Sequence, residues 1–577
     1  MLLFGAQAER FRVQRGGVSG AYGTWTFTSL DSLDDGLADR YELRKDFGSA
    51  DAPLLGGQLA AYVGDEWRAS ERLTITAGLR ADIPIFSSHA PFNPSVVSVF
   101  GRRTDQLPRT RVHWSPRFGF TWDVSGPGGD QLRGGVGVFS GRPPRAWIAP
   151  AVTAYGLGTG VLRCGSLPSD GGLPPAFVPD RSAAPTACLT GPPLQTAPLG
   201  DVDLVDRNLR MAQTHRASLA YDRRFGSGTT LTGEALVSRN VSDFVFVNLN
   251  LRGPQSTDAF GRVLYGTIAV NGVANPAVRS GFSEVIDLRN TSENYSYQLM
   301  ARLDKRFAGT LAANVSYTYS RVRDVQSPSR VNFPGIVLWG DARAVSGRHD
   351  DFVTGTSLND LPHRIVTAFT YTAPWRSGTD FSFYYVGESG SPFTYLASGT
   401  SRRGDLNADG SNANDPIYVP RDASDVGEII FIGRSDAAGA DNSPPAQAER
   451  VLAQQLAIER FIDQSACLSR QRGRIVERNS CREPWSHTTI AGVRQAIPIG
   501  GHALEGELHL FNVLNALSSR WGRQRVAAPR LLEHVGQTPE APETARPLFR
   551  FDANRSEWTT LQTESGFQVQ LGVRYRF

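Results

Sequence analysis

The stretch of this sequence with the clearest ligand-gathering pattern is Asp405-Leu-Asn407-Ala-Asp409-Gly410-Ser-Asn412-Ala-Asn414-Asp415. Carboxylate and amide oxygens recur at alternate positions and glycine stands sixth, as a hard cation such as calcium needs: converging oxygens and a sharp bend. The twelfth position is Pro416, where a helix-loop-helix calcium site has glutamate, and no flanking helices are evident, so that class is excluded. Two readings stand. Asp405, Asn407, Asp409, Asn412 and Asp415 hold Ca2+ in a loop, or the same side chains bond their own backbone in a solvated turn. Nothing else in the chain requires a cofactor.

The four cysteines fall as Cys164 with Cys188 and Cys467 with Cys481, each pair inside one segment rich in Pro, Gly and Ser. That placement suits two local disulfides formed in an oxidising compartment, against the alternative of four thiols; zinc is disfavoured because no C-x-x-C spacing or neighbouring histidine is present. Catalytic patterns are missing: the sequence has no G-x-S-x-G, no H-E-x-x-H and no phosphate-cradling glycine loop, and an enzyme is not expected. The net charge is +4, with Lys45 and Lys305 the only lysines and no basic stripe, which argues against nucleic acid as a partner. Residues 446–462 read as a short amphipathic helix whose face is Val451, Leu452, Gln455, Leu456 and Phe461, packed against its own loop.

The elements that must position these residues are strands. Alternating segments pair across short turns: 62–67 with 73–83, 118–124 with 132–139, 214–225 with 229–238, 295–307 with 311–321, 364–373 with 380–387, and 488–497 with 503–512. Between these six hairpins lie long polar connections, approximately 84–113, 140–213, 239–293, 322–362, 388–484 and 513–566, too long for a compact soluble domain. In the last strand Phe567, Val569, Leu571, Val573, Tyr575 and Phe577 share one face, with Gln568, Gln570, Arg574 and Arg576 on the other. An apolar face towards lipid and a polar one towards a wet lumen read this way. Aromatics gather at strand ends (Trp67, Trp122, Phe225, Phe307, Trp375, Phe577), where an interfacial girdle belongs. No apolar run approaches the ~18 residues of a membrane helix. The expected fold is all-β: a transmembrane antiparallel barrel occupying residues 1–577 as one partial barrel domain, with short periplasmic turns and long extracellular loops. Weaker strands at 2–12, 23–30 and 41–47 bring the count to about 16. The acidic residues Glu234, Asp304, Glu505 and Glu507, with Arg302 and Arg306, fall on the lumen face, as a ligand path or as a hydrated wall of salt bridges.

Several stretches resemble TonB-dependent outer-membrane receptors of the Oar-like type: Asp65-Glu66-Trp67 followed by 72–80 (RLTITAGLR), Ser115-Pro116-Arg117-Phe118-Gly119 with 132–139 (LRGGVGVF), Leu361-Pro362-His363-Arg364, Arg478-Asn479-Ser480 with Pro484-Trp485, and Phe511-Asn512-Val513-Leu514-Asn515. The ending Val573-Arg-Tyr575-Arg-Phe577 resembles the signal that such barrels present to their assembly machinery.

The resemblance implies a complete barrel of 22 strands with a plugged lumen, set in outer-membrane lipid and serving energised uptake or surface export. TonB is a partner only where the plug is present. Neither a plug nor a TonB-contacting segment is found here, and residues 1–10 are not a signal peptide; both are expected upstream. The ligand is not legible. Two other functions fit the same barrel: a surface adhesion or assembly protein whose disulfide-closed loops bind a partner, and a passive porin-like channel.

Overall fold

A computed structural model gives the structure of residues 1–577 apart from 15–19, 47–51, 127, 158, 166–169, 192–199, 227, 283, 308–309, 329–334, 376–377, 401, 438, 500–501 and 577. Fourteen long strands form one antiparallel sheet, each paired with the next in chain order. They are β1 (Leu2–Val13), β2 (Leu54–Arg68), β3 (Leu73–Phe86), β4 (His113–Asp123), β5 (Gln131–Ser140), β6 (Gln213–Phe225), β7 (Thr229–Asn248), β8 (Tyr295–Phe307), β9 (Leu311–Asp324), β10 (His363–Ala373), β11 (Thr379–Glu388), β12 (Ser486–Ile499), β13 (His502–Phe511) and β14 (Gln568–Arg576). All six hairpins read from the sequence are present as β2–β3, β4–β5, β6–β7, β8–β9, β10–β11 and β12–β13. The turns at 226–228, 308–310, 376–378 and 500–501 fall wholly or partly outside the described residues. No ladder among the described residues joins β1 to β14.

Three shorter strands, Asp201–Val205, Glu284–Thr291 and Gly355–Thr356, also pair onto this sheet, and of the three early strands expected only β1 joins it. Strands Thr24–Thr26 and Arg40–Asp46 instead pair with each other and with Thr159–Cys164 in a separate sheet. The reason is burial: Tyr41, Leu43, Leu162, Cys164 and Cys188 form their own small core, whereas a lipid-facing strand keeps its apolar side chains outside.

The main sheet is inside out relative to a soluble one. Val237 is 55% exposed, Leu299 53% and Leu571 79%, while Thr232 and Ser238 on the other face of β7 are each 6% exposed. In a soluble sheet each outward leucine would forgo roughly 1.5–3 kcal/mol by staying out of a core. In hydrocarbon the same placement costs nothing.

The large buried cores lie in the long connections. One gathers Tyr395, Ile417, Phe431, Ile458, Phe461, Leu532 and Phe549 from 388–484 and 513–566, around a four-stranded sheet of Leu396–Ser398, Arg530–Gln537, Pro547–Arg550 and Ile430–Phe431. A second joins Leu54 and Phe11 to Ile148, Leu209, Phe246, Ile286 and Trp339. The helix of 446–462 is longer than expected, Pro444–Gln464, and its buried face overlaps the expected one in part: Phe461 is buried and Val451 packs against the core, joined by Gln454, Ala457, Ile458 and Ile462. Leu452 and Leu456 stay more than half exposed. A polar residue turned the helix, because Gln454 donates to Ile432 O (3.0 Å) and accepts from Phe551 N (2.8 Å).

Candidate functional site

Two polar spaces lie towards opposite ends of the long strands. The concave face of the sheet near the short turns bounds about 840 Å3 lined by Arg133, Asp222, Glu234, Arg302, Asp304 and Arg306, among others. Ion pairs run along this face, within the space and beyond it. Arg133 reaches Asp222 (3.0 Å) and Glu234 (3.2 Å), Arg302 reaches Asp304 (2.7 Å), and Arg574 of β14 lies 3.5 Å from Glu505 and 3.8 Å from Glu507. Such a wall is wet and structurally braced.

The second space, about 610 Å3, lies at the long-loop end, with walls from five connections: Arg40 and Arg44, Arg163, Asn250, Asp341, and Asp405 with Asp409. Arg402 on the same wall is pushed down from the usual guanidinium range by burial and by the neighbouring Arg163 and Arg40. Burial also pushes Asp405 and Asp415 well above the usual carboxylate range, with repulsion from Asp409, and for Asp415 from Asp405 as well, adding to it.

The Asp-rich turn is a tightly wound structure. Gly410 adopts φ +97 and Ala408 φ +52, so the chain doubles back on the Asp405 carboxylate. That carboxylate accepts from the backbone N of Asp409 (3.0 Å) and Gly410 (2.9 Å). Asp409 Oδ2 accepts from the amides of Asn407 (3.0 Å) and Asn414 (2.9 Å) and stands 2.7 Å from His349 Nε2. Asp415 Oδ1 accepts from Asn407 N (3.0 Å) and lies 3.8 Å from Arg262 Nη1. Of the five residues expected to surround a cation, Asp405, Asn407, Asp409 and Asp415 are brought together. Asn412 instead donates to Gly399 O (3.2 Å). Among the described residues, no three carboxylate, imidazole or thiol side chains form a metal-ready cluster.

The sequence singles out Arg478, Asn479 and Asn512 as motif residues but not their task, which is to fasten these loops. Arg478 donates to Asp324 O (2.9 Å), to Asp324 Oδ1 (2.6 Å) and to Ser327 Oγ (3.0 Å), stapling 388–484 to 322–362. Asn479, at φ +51, adds a bond to Thr356 O (2.7 Å). Asn512, also left-handed at φ +52, donates to Gly522 O (3.0 Å) and Ser565 O (2.7 Å), closing the two ends of 513–566. The motif stretches around 478–480 and 511–515 thus hold loops together. The cysteines form two disulfides, Cys164–Cys188 and Cys467–Cys481, with Cα separations of 5.5 and 5.3 Å. Of the terminal pair, Tyr575 faces outward on β14, 54% exposed, and Phe577 lies outside the described residues.

An inside-out antiparallel sheet with short turns at one end and packed long loops at the other has one known setting, and the sequence matches the outer membrane beta barrel domain family over residues 1–520. The chain belongs to this family. It is an outer-membrane protein. No curated protein sequence matches the chain. Among solved structures it is similar to the FrpB iron transporter from Neisseria meningitidis (F3-3 variant), at 10% identity and TM-score 0.42, covering 100% of this chain and 52% of that one. It is also similar to the copper transporter OprC, at 10% identity and TM-score 0.39, covering 93% and 55%. The siderophore receptor PirA from Acinetobacter baumannii aligns at 11% identity and TM-score 0.37, covering 82% and 47%. The chain thus spans about half the length of these structures.

Proposed function

We propose that this chain is the barrel part of an Oar-like TonB-dependent receptor, capturing a ligand at the loop end and passing it along the polar face of the sheet. The observation that carries the reading is the pair of polar spaces, one among the long connections and one on the polar face of the sheet near the short turns. The outer one, about 610 Å3, is walled by five connections held by buried cores and staples, and the inner one is bounded by the sheet. A purely anchoring barrel has no need of an ordered recess above a charged lumen. Energised passage requires a plug and contact with TonB. Tyr575 and Phe577 serve as the signal to the assembly machinery.

The test is binding of the native protein, extracted from outer membranes, to the purified periplasmic domain of TonB. Saturable binding is expected. Absence of binding, with steady ion conductance in planar bilayers, would replace this reading by a passive channel; absence of both would favour the anchoring role.

A further inference from the structure

Towards the long loops, the apolar band on the outward face of the sheet ends in a run of flat rings carried by β9 to β12. β10 has 11 residues, and at about 3.3 Å per residue and a tilt of about 40° it spans about 25 Å, the height of such a band. Its first residue, His363, therefore stands where hydrocarbon gives way to headgroups. His363 faces Tyr319 across the β9–β10 ladder, and their ring centroids are 5.5 Å apart. From His363 the run continues through Trp485 (6.1 Å, planes 14° apart) to His487 of β12 (6.3 Å, 18°) and on to Tyr385 of β11 (6.1 Å, 17°). Gly387, opposite His487 in the ladder, makes room for the last step, since a Cβ there would strike the Tyr385 hydroxyl. Tyrosines hold both imidazoles: Tyr317 Oη lies 2.7 Å from His363 Nδ1, and Tyr385 Oη 2.9 Å from His487 Nδ1. No described residue bonds Nε2 of either ring. Positive charge flanks the run. Arg321 Nε donates to Tyr319 Oη (3.0 Å), and its side chain is 37% exposed. Arg323, two residues on and on the same face, donates to Thr356 Oγ1 (3.3 Å) and meets no carboxylate among the described residues. Asp360, 3.6 Å from Arg321, is 1% exposed and shared with Arg482.

We propose that this run of rings is a docking surface for phosphate-bearing glycolipid of the outer leaflet. The sugars lie against the flat rings, and phosphate oxygens accept from Nε2 of His363 and His487 and from Arg321 and Arg323. An interfacial girdle by itself needs only amphipathic rings such as Tyr and Trp. Two imidazoles and two guanidiniums on the outward face, with the nearby carboxylate buried, add donors that hydrocarbon leaves unsatisfied and that an anionic headgroup matches. These donors stand at separate points along the run. That spacing fits several phosphates joined by sugars better than the single phosphate of a phospholipid. The proposal is independent of the transport reading.

The test uses the full chain in detergent micelles. The probes are lipid A, which is a phosphorylated disaccharide lipid, the same lipid A after phosphatase treatment, and phosphatidylethanolamine, read by native mass spectrometry and the thermal midpoint. Lipid A should bind saturably and raise the midpoint by several degrees, and the other two should bind about tenfold more weakly. Arg321→Gln, and His363→Leu made together with His487→Leu, should each weaken lipid A binding by about tenfold. Trp375→Phe, at the opposite margin of the band, should leave it unchanged. Arg321 is partly exposed, so its variant carries the test if the histidine pair fails to fold. Equal binding of the dephosphorylated lipid would mean an ordinary girdle and overturn the proposal. So would no binding of lipid A, or lipid A binding undiminished in either folded variant.

Discussion

Asp409 Oδ2 lies 2.7 Å from His349 Nε2, although sixty residues separate them in sequence and each stands in a different long connection. His349 also makes tilted ring contacts with Tyr265 (centroids 4.7 Å apart) and Trp339 (4.8 Å). The loop end of this barrel is therefore a packed structure with its own polar and aromatic joints.

The outward face of the sheet should reject charge and the inward face accept it. Leu299→Arg should cost about 2–4 kcal/mol near the bilayer midplane, whereas Gln298→Arg, its neighbour on the lumen side, should change stability by less than about 1 kcal/mol. Denaturant-driven unfolding from lipid vesicles measures both.

Arg478 should matter more to the loops than to the sheet. Arg478→Ala leaves Asp324 buried without its partner, a loss of about 3 kcal/mol, and should open 322–362 and 388–484 to protease while the strands stay resistant. Limited proteolysis followed by mass spectrometry reads the cut sites.

The loop assembly should weaken in acid through His534. This imidazole is fully buried, accepts from Gly404 N at Nδ1 (3.1 Å), and is pushed down to about 4 by burial, with Arg403 and Arg262 adding repulsion. The neutral ring suits the fold and the unfolded chain takes up the proton first, so stability is full above about pH 6.5 and falls as pH drops towards 4. The loss is about 3 kcal/mol. His534→Gln should flatten that part of the stability profile, followed by near-ultraviolet circular dichroism.

The Cys467–Cys481 bridge closes a segment of sequence separation 14, for which loop-closure entropy gives about 3 kcal/mol. Cys467→Ser, made together with Cys481→Ser, should lower the thermal midpoint of the loop core while leaving the strand signal in far-ultraviolet circular dichroism unchanged.

The strands were legible because lipid and lumen impose a strict period of two, seen at its plainest in Val569, Leu571, Val573 and Tyr575. The loop core was not, because Tyr395, Ile417, Phe431, Leu532 and Phe549 come singly from short pieces with no period to betray them. The helix was found with Val451 and Phe461 on its inner face, but Leu452 and Leu456 were misjudged, since Gln454 is buried by hydrogen bonds to Ile432 and Phe551 that the helix sequence does not reveal. The Asp-rich turn was found as a pattern of oxygens; that Asn412 turns away to Gly399 depends on the chain around it. Arg478, Asn479 and Asn512 could be singled out by resemblance, yet their work as staples appears only when the loops they join are side by side.

The central claim is an inside-out sheet in the outer membrane, and nitroxide labels test it most directly. With both disulfides intact, Leu299→Cys and Gln298→Cys variants would be labelled in lipid vesicles and compared for access to oxygen and to a water-soluble nickel chelate. The label at 299 should be reached by oxygen and not by nickel, and the label at 298 by nickel. Equal access at both positions, or nickel access at 299, would contradict it.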